Sequence, residues 1–312
     1  MSERERITQL LSGLLPPNVM EAVGRLDEVS LCYLQEVRLR LGRGLSVTAD
    51  NVSRYLCSDG GLSPYRSDIT ITENHMMYFL GRLFEDSLHT HRRELVEGYV
   101  TAPGGCRVGI CGRACIDQDR IVNVKSISSA AVRIPREVKG CAMGIYRKMF
   151  SEGLCSLLIC GAPGSGKTTL LRDLTRLIGD RHSISLIDER GEVAAAHHGR
   201  NGFDVGAFTD VFDGYSRYEG IMTAVRVMSP KVIVCDEIGS IEDTHALRYA
   251  QASGVKLIAA CHCGSLEELP KKQILRELLA QSAFEKAVLL ERGCVTQTSS
   301  VEELICSGSQ AV

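Results

Sequence analysis

No stretch of the 312 residues approaches 18 uninterrupted apolar positions, so a membrane-spanning helix is not expected. The opening residues, Met1-Ser2-Glu3-Arg4-Glu5-Arg6, are highly charged and carry no apolar segment, so a secretory signal is not expected either. Charge of one sign is also missing. Lys and Arg number 36 against 38 Asp and Glu, interleaved to a net −2 without a long basic tract, and nucleic acid is therefore not an expected partner. The 13 cysteines include no Cys-x-x-Cys pair. In a chain without a signal they read as reduced cytosolic thiols. Cys261-His262-Cys263 and the triplet Cys106, Cys111 and Cys115 lack a second pair at zinc-finger spacing. A strand would also turn His262 away from Cys261 and Cys263. Three further absences narrow the field. There is no Asn-Lys-x-Asp guanine-reading motif, no Leu-Ser-Gly-Gly-Gln transporter signature, and no arginine-rich lid of the small-metabolite kinases.

What the chain does carry is Gly161-Ala162-Pro163-Gly164-Ser165-Gly166-Lys167-Thr168, which fits G-x-x-x-x-G-K-[ST]. The apolar run Leu154–Cys160 before it has strand length. Leu170, Leu171, Leu174 and Ile178 after it have helical spacing. In that context the glycines free the backbone to turn its amides toward an anion, and the helix N-terminus adds positive potential. Residues 161–169, Thr169 included, are the expected ATP-binding segment. Lys167 would reach the β- and γ-phosphates, and Thr168 would offer a hydroxyl to Mg²⁺.

The second strong signal is Val232-Ile233-Val234-Cys235-Asp236-Glu237, a buried strand ending in two acids. Buried acids need compensation, which a cation supplies. Asp236 is expected in the Mg²⁺ shell and Glu237 as the residue that polarises the attacking water. His262, closing another strand, either touches the γ-phosphate or water or is a hydrogen-bonded core histidine. Asp188 and Glu189 either tune the metal and water or pair with Arg190. Arg226, just before the acidic strand, either reaches a neighbouring subunit's γ-phosphate or is an exposed helix arginine. Arg133 and Arg136 are weaker candidates for the same task.

The alternation of elements predicts an α/β fold: a RecA/AAA-like P-loop NTPase domain with a parallel sheet, preceded by a smaller α+β N-terminal domain. The expected division is 1–134 for the first domain, 135–150 for a linker helix and 151–312 for the ATPase domain. In the first domain helices are expected over 3–15, 19–26 and 72–88, the last capped by Thr72. Strands are expected over 36–47, 69–71, 98–101, 106–116 and 121–134, with turns at Pro103-Gly104-Gly105 and Asp117-Gln118-Asp119. In the second domain strands are expected over 183–187, 231–235, 255–260, 287–291 and 295–299. Residues 201–216 read as a loop, and helices fall over 220–228, 243–252 and 273–279. The strand at 183–187, lying between the two motifs, points to the ATPase division with an added central strand rather than to small GTPases.

Several segments together resemble the stage III sporulation protein AA family, ATPases of endospore-forming bacteria. They are Glu36-Val37-Arg38-Leu39-Arg40, residues 98–109 and 134–140, Asp188-Glu189-Arg190, Asp204-Val205-Gly206, Thr209-Asp210-Val211, Arg226-Val227-Met228-Ser229-Pro230 and Asp236-Glu237-Ile238-Gly239. That family is similar to the hexameric type II and type IV secretion ATPases. The resemblance implies a homo-hexameric ring with ATP at subunit boundaries, docked on a membrane protein of the sporulation channel. It implies a cytoplasmic protein held at the mother-cell face of the forespore membrane through that partner. It matches Arg226 to the arginine before the acidic strand and His262 to the histidine box. Two positions depart: Phe208 stands where family members carry an arginine, and Lys231 where they carry an aspartate. The expected activity is ATP hydrolysis by a motor protein. The rivals are a nucleotide-gated assembly scaffold with little turnover and a nucleic-acid motor.

Overall fold

The computed structural model describes residues 3–84, 98–102, 105–117, 120–135, 137–196 and 202–309, which separate into two compact units, 1–136 and 137–312. The predicted turns at 103–104 and 118–119, the end of the 72–88 helix and Arg136 lie outside the described residues.

The first unit opens with three helices, α1 (Glu3–Ser12), α2 (Pro17–Gly24) and α3 (Glu28–Cys32). Pro17 starts α2, where its missing N–H costs nothing, and Asp27 caps α3 by accepting from the Ser30 amide. A seven-stranded antiparallel sheet follows. It comprises β1 (Leu34–Arg40), β2 (Ser46–Ala49), β3 (Val52–Leu56), β4 (Leu62–Ser63), β5 (Tyr99–Ala102), β6 (Cys106–Asp117) and β7 (Arg120–Arg133), in the order β4-β3-β2-β1-β7-β6-β5. Helix α4 (Glu73–Leu83) lies between β4 and β5 in sequence, and Thr72 caps it by accepting from the His75 amide. Val37, Leu39, Val108 and Val132 fill the core with Phe79 of α4. The single strand expected over 36–47 is two strands: Gly42, at φ +71°, turns the chain between them. The strand expected over 69–71 is one isolated bridge, Gly44 to Thr70.

In the second unit, α5 (Met143–Met149), expected as the end of a linker, contributes Ile145 and Met149, with Ala142 just before it, to the unit's own core. The remaining elements are β8 (Leu157–Gly161), α6 (Lys167–Gly179), β9 (Ile184–Asp188), β10 (Thr209–Asp213), α7 (Arg217–Val227), β11 (Val232–Glu237), α8 (Ile241–Ala252), β12 (Lys256–His262), α9 (Gln273–Ala280), β13 (Lys286–Glu291), β14 (Cys294–Ser300) and α10 (Val301–Ser309). The sheet runs β10-β9-β11-β12-β8-β13-β14, parallel except for β14. β10 corrects the reading of 201–216 as loop. It is an edge strand whose two aspartates face outward, and that polarity hid it. The strand inserted in space between β8 and β11 is β12; β9 lies on the far side of β11.

Because β8, β11 and β12 are parallel, Gly161, Glu237 and His262 all emerge at one edge of the sheet. The β11–β12 register shifts between Cys235 and Glu237, leaving Asp236 as an extra residue. Regular alternation would place Glu237 on the face of Cys235. The bulge sets it opposite Ala260 instead, on the face that His262 shares.

Candidate nucleotide site

The phosphate loop joins β8 to α6. Gly164 and Gly166 take φ +74° and +99°, in the left-handed region. Gly161 serves close packing: a Cβ there would lie 2.7 Å from the Leu290 carbonyl oxygen. No side chain caps α6, so its first amides lack an intrahelical acceptor and face outward at the positive end of the helix dipole. Ser165 Oγ is buried without a hydrogen-bond partner among the described residues. Orphaned donors and left-handed glycines form a cradle for an anion of phosphate type.

Lys167 is buried, at 7% exposure, and its ammonium donates to the carbonyls of Gly161 and Ala162 at 2.9 Å each and to His262 Nδ1 at 3.0 Å. Burial holds its pKa below the usual lysine value. An ammonium only donates, so Nδ1 accepts and the ring proton stays on Nε2. Nε2 contacts Glu237 Oε1 closely. Burial and then the Lys167 charge hold the His262 pKa below its ordinary value. The Nε2–H of a neutral ring satisfies the Glu237 carboxylate. The His262 side chain is 43% exposed, so it is not a core histidine, and it links the loop lysine to the strand acid.

Asp236 makes no hydrogen bond or ion pair among the described residues. Burial, then the acids Glu192 and Asp188, push its pKa up to about 6. A buried carboxylate with no direct partner, eased only at a distance by the Arg217 and Arg190 charges, fits a cation. Thr168, on the first turn of α6, is half-buried. Among the described residues no three His, Cys, Asp or Glu side chains gather to hold a metal. Mg²⁺ would therefore depend on phosphate oxygens to complete its shell with Thr168 and Asp236, a usual arrangement for this ion.

Asp188 spends its carboxylate on backbone amides of its own turn, a contact that neither of its two readings named. Fully buried, it accepts from the amides of Glu192, Val193 and Ala194 at 2.8–3.0 Å. Arg172, on α6, grips the same turn from its carbonyl side: Nε donates to Val193 O at 2.7 Å and Nη2 to Glu192 O at 2.5 Å. Glu189 pairs with Arg217 at 2.6 Å, not with Arg190. Sequence reasoning missed Arg172, Glu192 and Arg217. The spacing of Glu192 four residues after Asp188 was readable, but its approach to Asp236 depends on the turn that Asp188 and Arg172 build. Arg226 is exposed in the last turn of α7, with no partner among the described residues. Phe208 is 60% exposed and Lys231 is exposed. Arg133 lies on β7 in the first unit, beside Glu36 at 3.7 Å.

The sequence matches the family described as "Sporulation stage III, protein AA" over residues 1–300. The chain belongs to that family. It is 33% identical over 288 residues, 90% of each chain, to stage III sporulation protein AA of Bacillus subtilis (strain 168). It is 27% identical over 186 residues to the Arabidopsis thaliana protein Seedling Plastid Development 1, covering 54% of this chain and 27% of that one. Among solved structures it is similar to the Legionella pneumophila ATPase DotB, with TM-score 0.54 and 12% identity, covering 89% of this chain and 83% of that one. It is also similar to the pilus retraction motor PilT with bound ADP, with TM-score 0.53 and 15% identity, covering 82% and 74%. At these identities the likeness is one of fold: a phosphate-loop α/β domain preceded by an α+β unit. No helix among the described residues is long and apolar enough to cross a membrane.

Proposed function

We propose that this member of the family is an ATP-hydrolysing motor protein that energises a sporulation-specific, secretion-like channel. The observation that carries the reading is the Lys167–His262–Glu237 chain beside an unpaired Asp236. Residues 161–169 would hold the triphosphate, and Thr168 and Asp236 would hold Mg²⁺. The ion, when bound, neutralises charge that develops on the phosphate oxygens. Lys167, held only by two carbonyls and a neutral imidazole, is free to exchange those acceptors for phosphate oxygens. His262 keeps its Nε2 proton on Glu237 Oε1, which orients the carboxylate. The other carboxylate oxygen is then available to take a proton from water in line with the γ-phosphate.

The PilT and DotB folds and family membership support further parts of the proposal. These are a homo-hexameric ring, Arg226 acting across a subunit boundary, a membrane protein of the sporulation channel as docking partner, and residence at the mother-cell face of the forespore membrane. Residues 1–136 would act as the N-terminal domain and 137–312, α5 included, as the ATPase domain. A nucleotide-gated scaffold with little turnover is the second reading, favoured by Phe208, an exposed apolar side chain where the family resemblance implies an arginine. Phosphate release with Mg²⁺-ATP tests the choice. The motor reading expects Lys167→Ala to lose ATP binding, and Glu237→Gln to bind ATP without turnover. Undiminished hydrolysis by Glu237→Gln would remove Glu237 as the base. A parent chain that binds ATP, assembles and releases no phosphate would establish the scaffold.

A further inference from the structure

Cys160 and Cys261 are the penultimate residues of adjacent parallel strands, in direct register, and their sulfurs lie 3.6 Å apart. The next residue on each strand belongs to the nucleotide site: Gly161 opens the phosphate loop and His262 links Lys167 to Glu237. Cys261 also lines a cavity of about 630 Å³, together with Glu237, His262, Thr244, Lys272 and Ile274. That cavity gives a small oxidant a route to an otherwise buried sulfur. Hydrogen bonding between the two sulfurs, aided by the Lys272 and Lys167 ammonium groups, holds the Cys261 pKa down against its burial, while the same contact and burial push that of Cys160 up. The pair thus comprises one thiolate-prone sulfur at a cavity wall and one thiol behind it.

We propose that Cys160 and Cys261 are a peroxide-sensitive dithiol whose oxidation closes a disulfide across β8 and β12 and disables the nucleotide site. The Cys261 thiolate attacks hydrogen peroxide: an S–O bond forms, the O–O bond breaks, and the departing hydroxide takes a proton to become water. Cys160 sulfur then attacks the Cys261 sulfenic acid. The S–S bond forms, the S–O bond breaks, and the Cys160 proton leaves with the hydroxyl as a second water. Two thiols lose two electrons and one peroxide gains them. Closure brings the sulfurs from 3.6 Å to about 2.05 Å. The strand ends have no slack to absorb this, because Gly161 is packed so closely on Ser165 and Leu290 that not even a Cβ fits. The displacement passes to the loop carbonyls and to His262.

The chemical step stands without any nucleotide; its consequence for the site rests on the proposed function. The test is to treat the folded full-length chain with hydrogen peroxide, map peptides without reduction, and measure binding of a fluorescent ATP analogue before and after. The expected result is a Cys160–Cys261 cross-linked peptide and a roughly tenfold loss of affinity, both reversed by dithiothreitol. Cys261→Ala should keep its affinity under peroxide. Recovery of Cys160 and Cys261 as thiols while the exposed Cys111 and Cys294 are oxidised would overturn the proposal. A cross-link that leaves affinity unchanged would overturn the coupling. A reduced parent chain that binds no nucleotide would refute the function while the cross-link still decides the chemistry. The mapping on the parent chain needs no variant, so a misfolded Cys261→Ala would not spare the proposal.

Discussion

His262 takes the Lys167 ammonium on Nδ1, at 3.0 Å, and this contact fixes the imidazole tautomer. The ring presents Nε2–H to Glu237 only because its other nitrogen is engaged. His262→Ala is expected to leave nucleotide affinity nearly unchanged, because the carbonyls of Gly161 and Ala162 still hold Lys167. Turnover should fall roughly 10- to 100-fold, the usual cost of losing an orienting partner. His262→Gln, whose amide can still donate to Glu237, should recover part of that loss. Steady-state phosphate release over a range of ATP concentrations separates the two effects. Parental turnover in His262→Ala would mean that Glu237 needs no orienting.

Asp236 gives the site a pH dependence of defined sign. Its pKa rises from 3.8 to about 6 on folding. The folded chain therefore holds that proton more tightly, and the stabilisation is complete below 3.8 and lost as pH rises through about 6. In metal-free protein the ionisation costs on the order of 3 kcal/mol. Asp236→Asn is expected to be more stable than the parent at pH 7.5 and equal to it near pH 4, as read from urea denaturation. Mg²⁺ competes with the same proton, so Mg²⁺-dependent ATP affinity should weaken as pH falls below about 6. A pH-independent difference between the two proteins would argue that another group sets the titration.

The phosphate loop and the acidic strand were legible because each couples a local pattern to a local structure: apolar strand, glycine-rich turn, helix; apolar strand, two acids. The convergence of Glu237 and His262 was not. Their shared face depends on a one-residue bulge at Asp236, and nothing in the local sequence marks where a ladder slips. β10 was missed because an exposed edge strand has no apolar alternation to betray it. The role of Asp188 stayed open because an acid at a strand end looks the same whether it faces a metal, an arginine or the three amides of its own turn. Strand order likewise lies outside local pattern. The sequence shows β9 between the two motifs, whereas the sheet places β12 there.

Arg172 and Asp188 hold opposite sides of the turn that carries Glu192 toward Asp236. Arg172→Leu would strand two carbonyls and remove the guanidinium stacked 3.8 Å over the Phe203 ring. At about 1–3 kcal/mol per stranded group, the expected loss is about 3 kcal/mol. Arg172→Lys keeps the charge without the fork and should recover only a fraction. Because Asp188→Asn loosens the same turn, the double variant should cost less than the sum of the singles. Chemical denaturation of the three variants provides the cycle. Strict additivity would mean that the two side chains act on separate structures.

Arg226 has no partner among the described residues and stands exposed on α7, so its role is decided by what a neighbouring copy does with it. As a surface substitution, Arg226→Ala should change stability by no more than about 0.5 kcal/mol and leave ATP affinity intact. Turnover should nevertheless be lost if the guanidinium completes the next subunit's site. Subunit mixing distinguishes this from a defect within one chain. Arg226→Ala keeps a working phosphate loop, and Lys167→Ala keeps a working Arg226. Each is expected to be inactive alone. Mixed, they create boundaries at which an intact loop faces an intact arginine, and phosphate release should appear in proportion to the number of such boundaries. A mixture as silent as its components would assign the loss to a defect within one chain and remove the argument for a site shared across a subunit boundary.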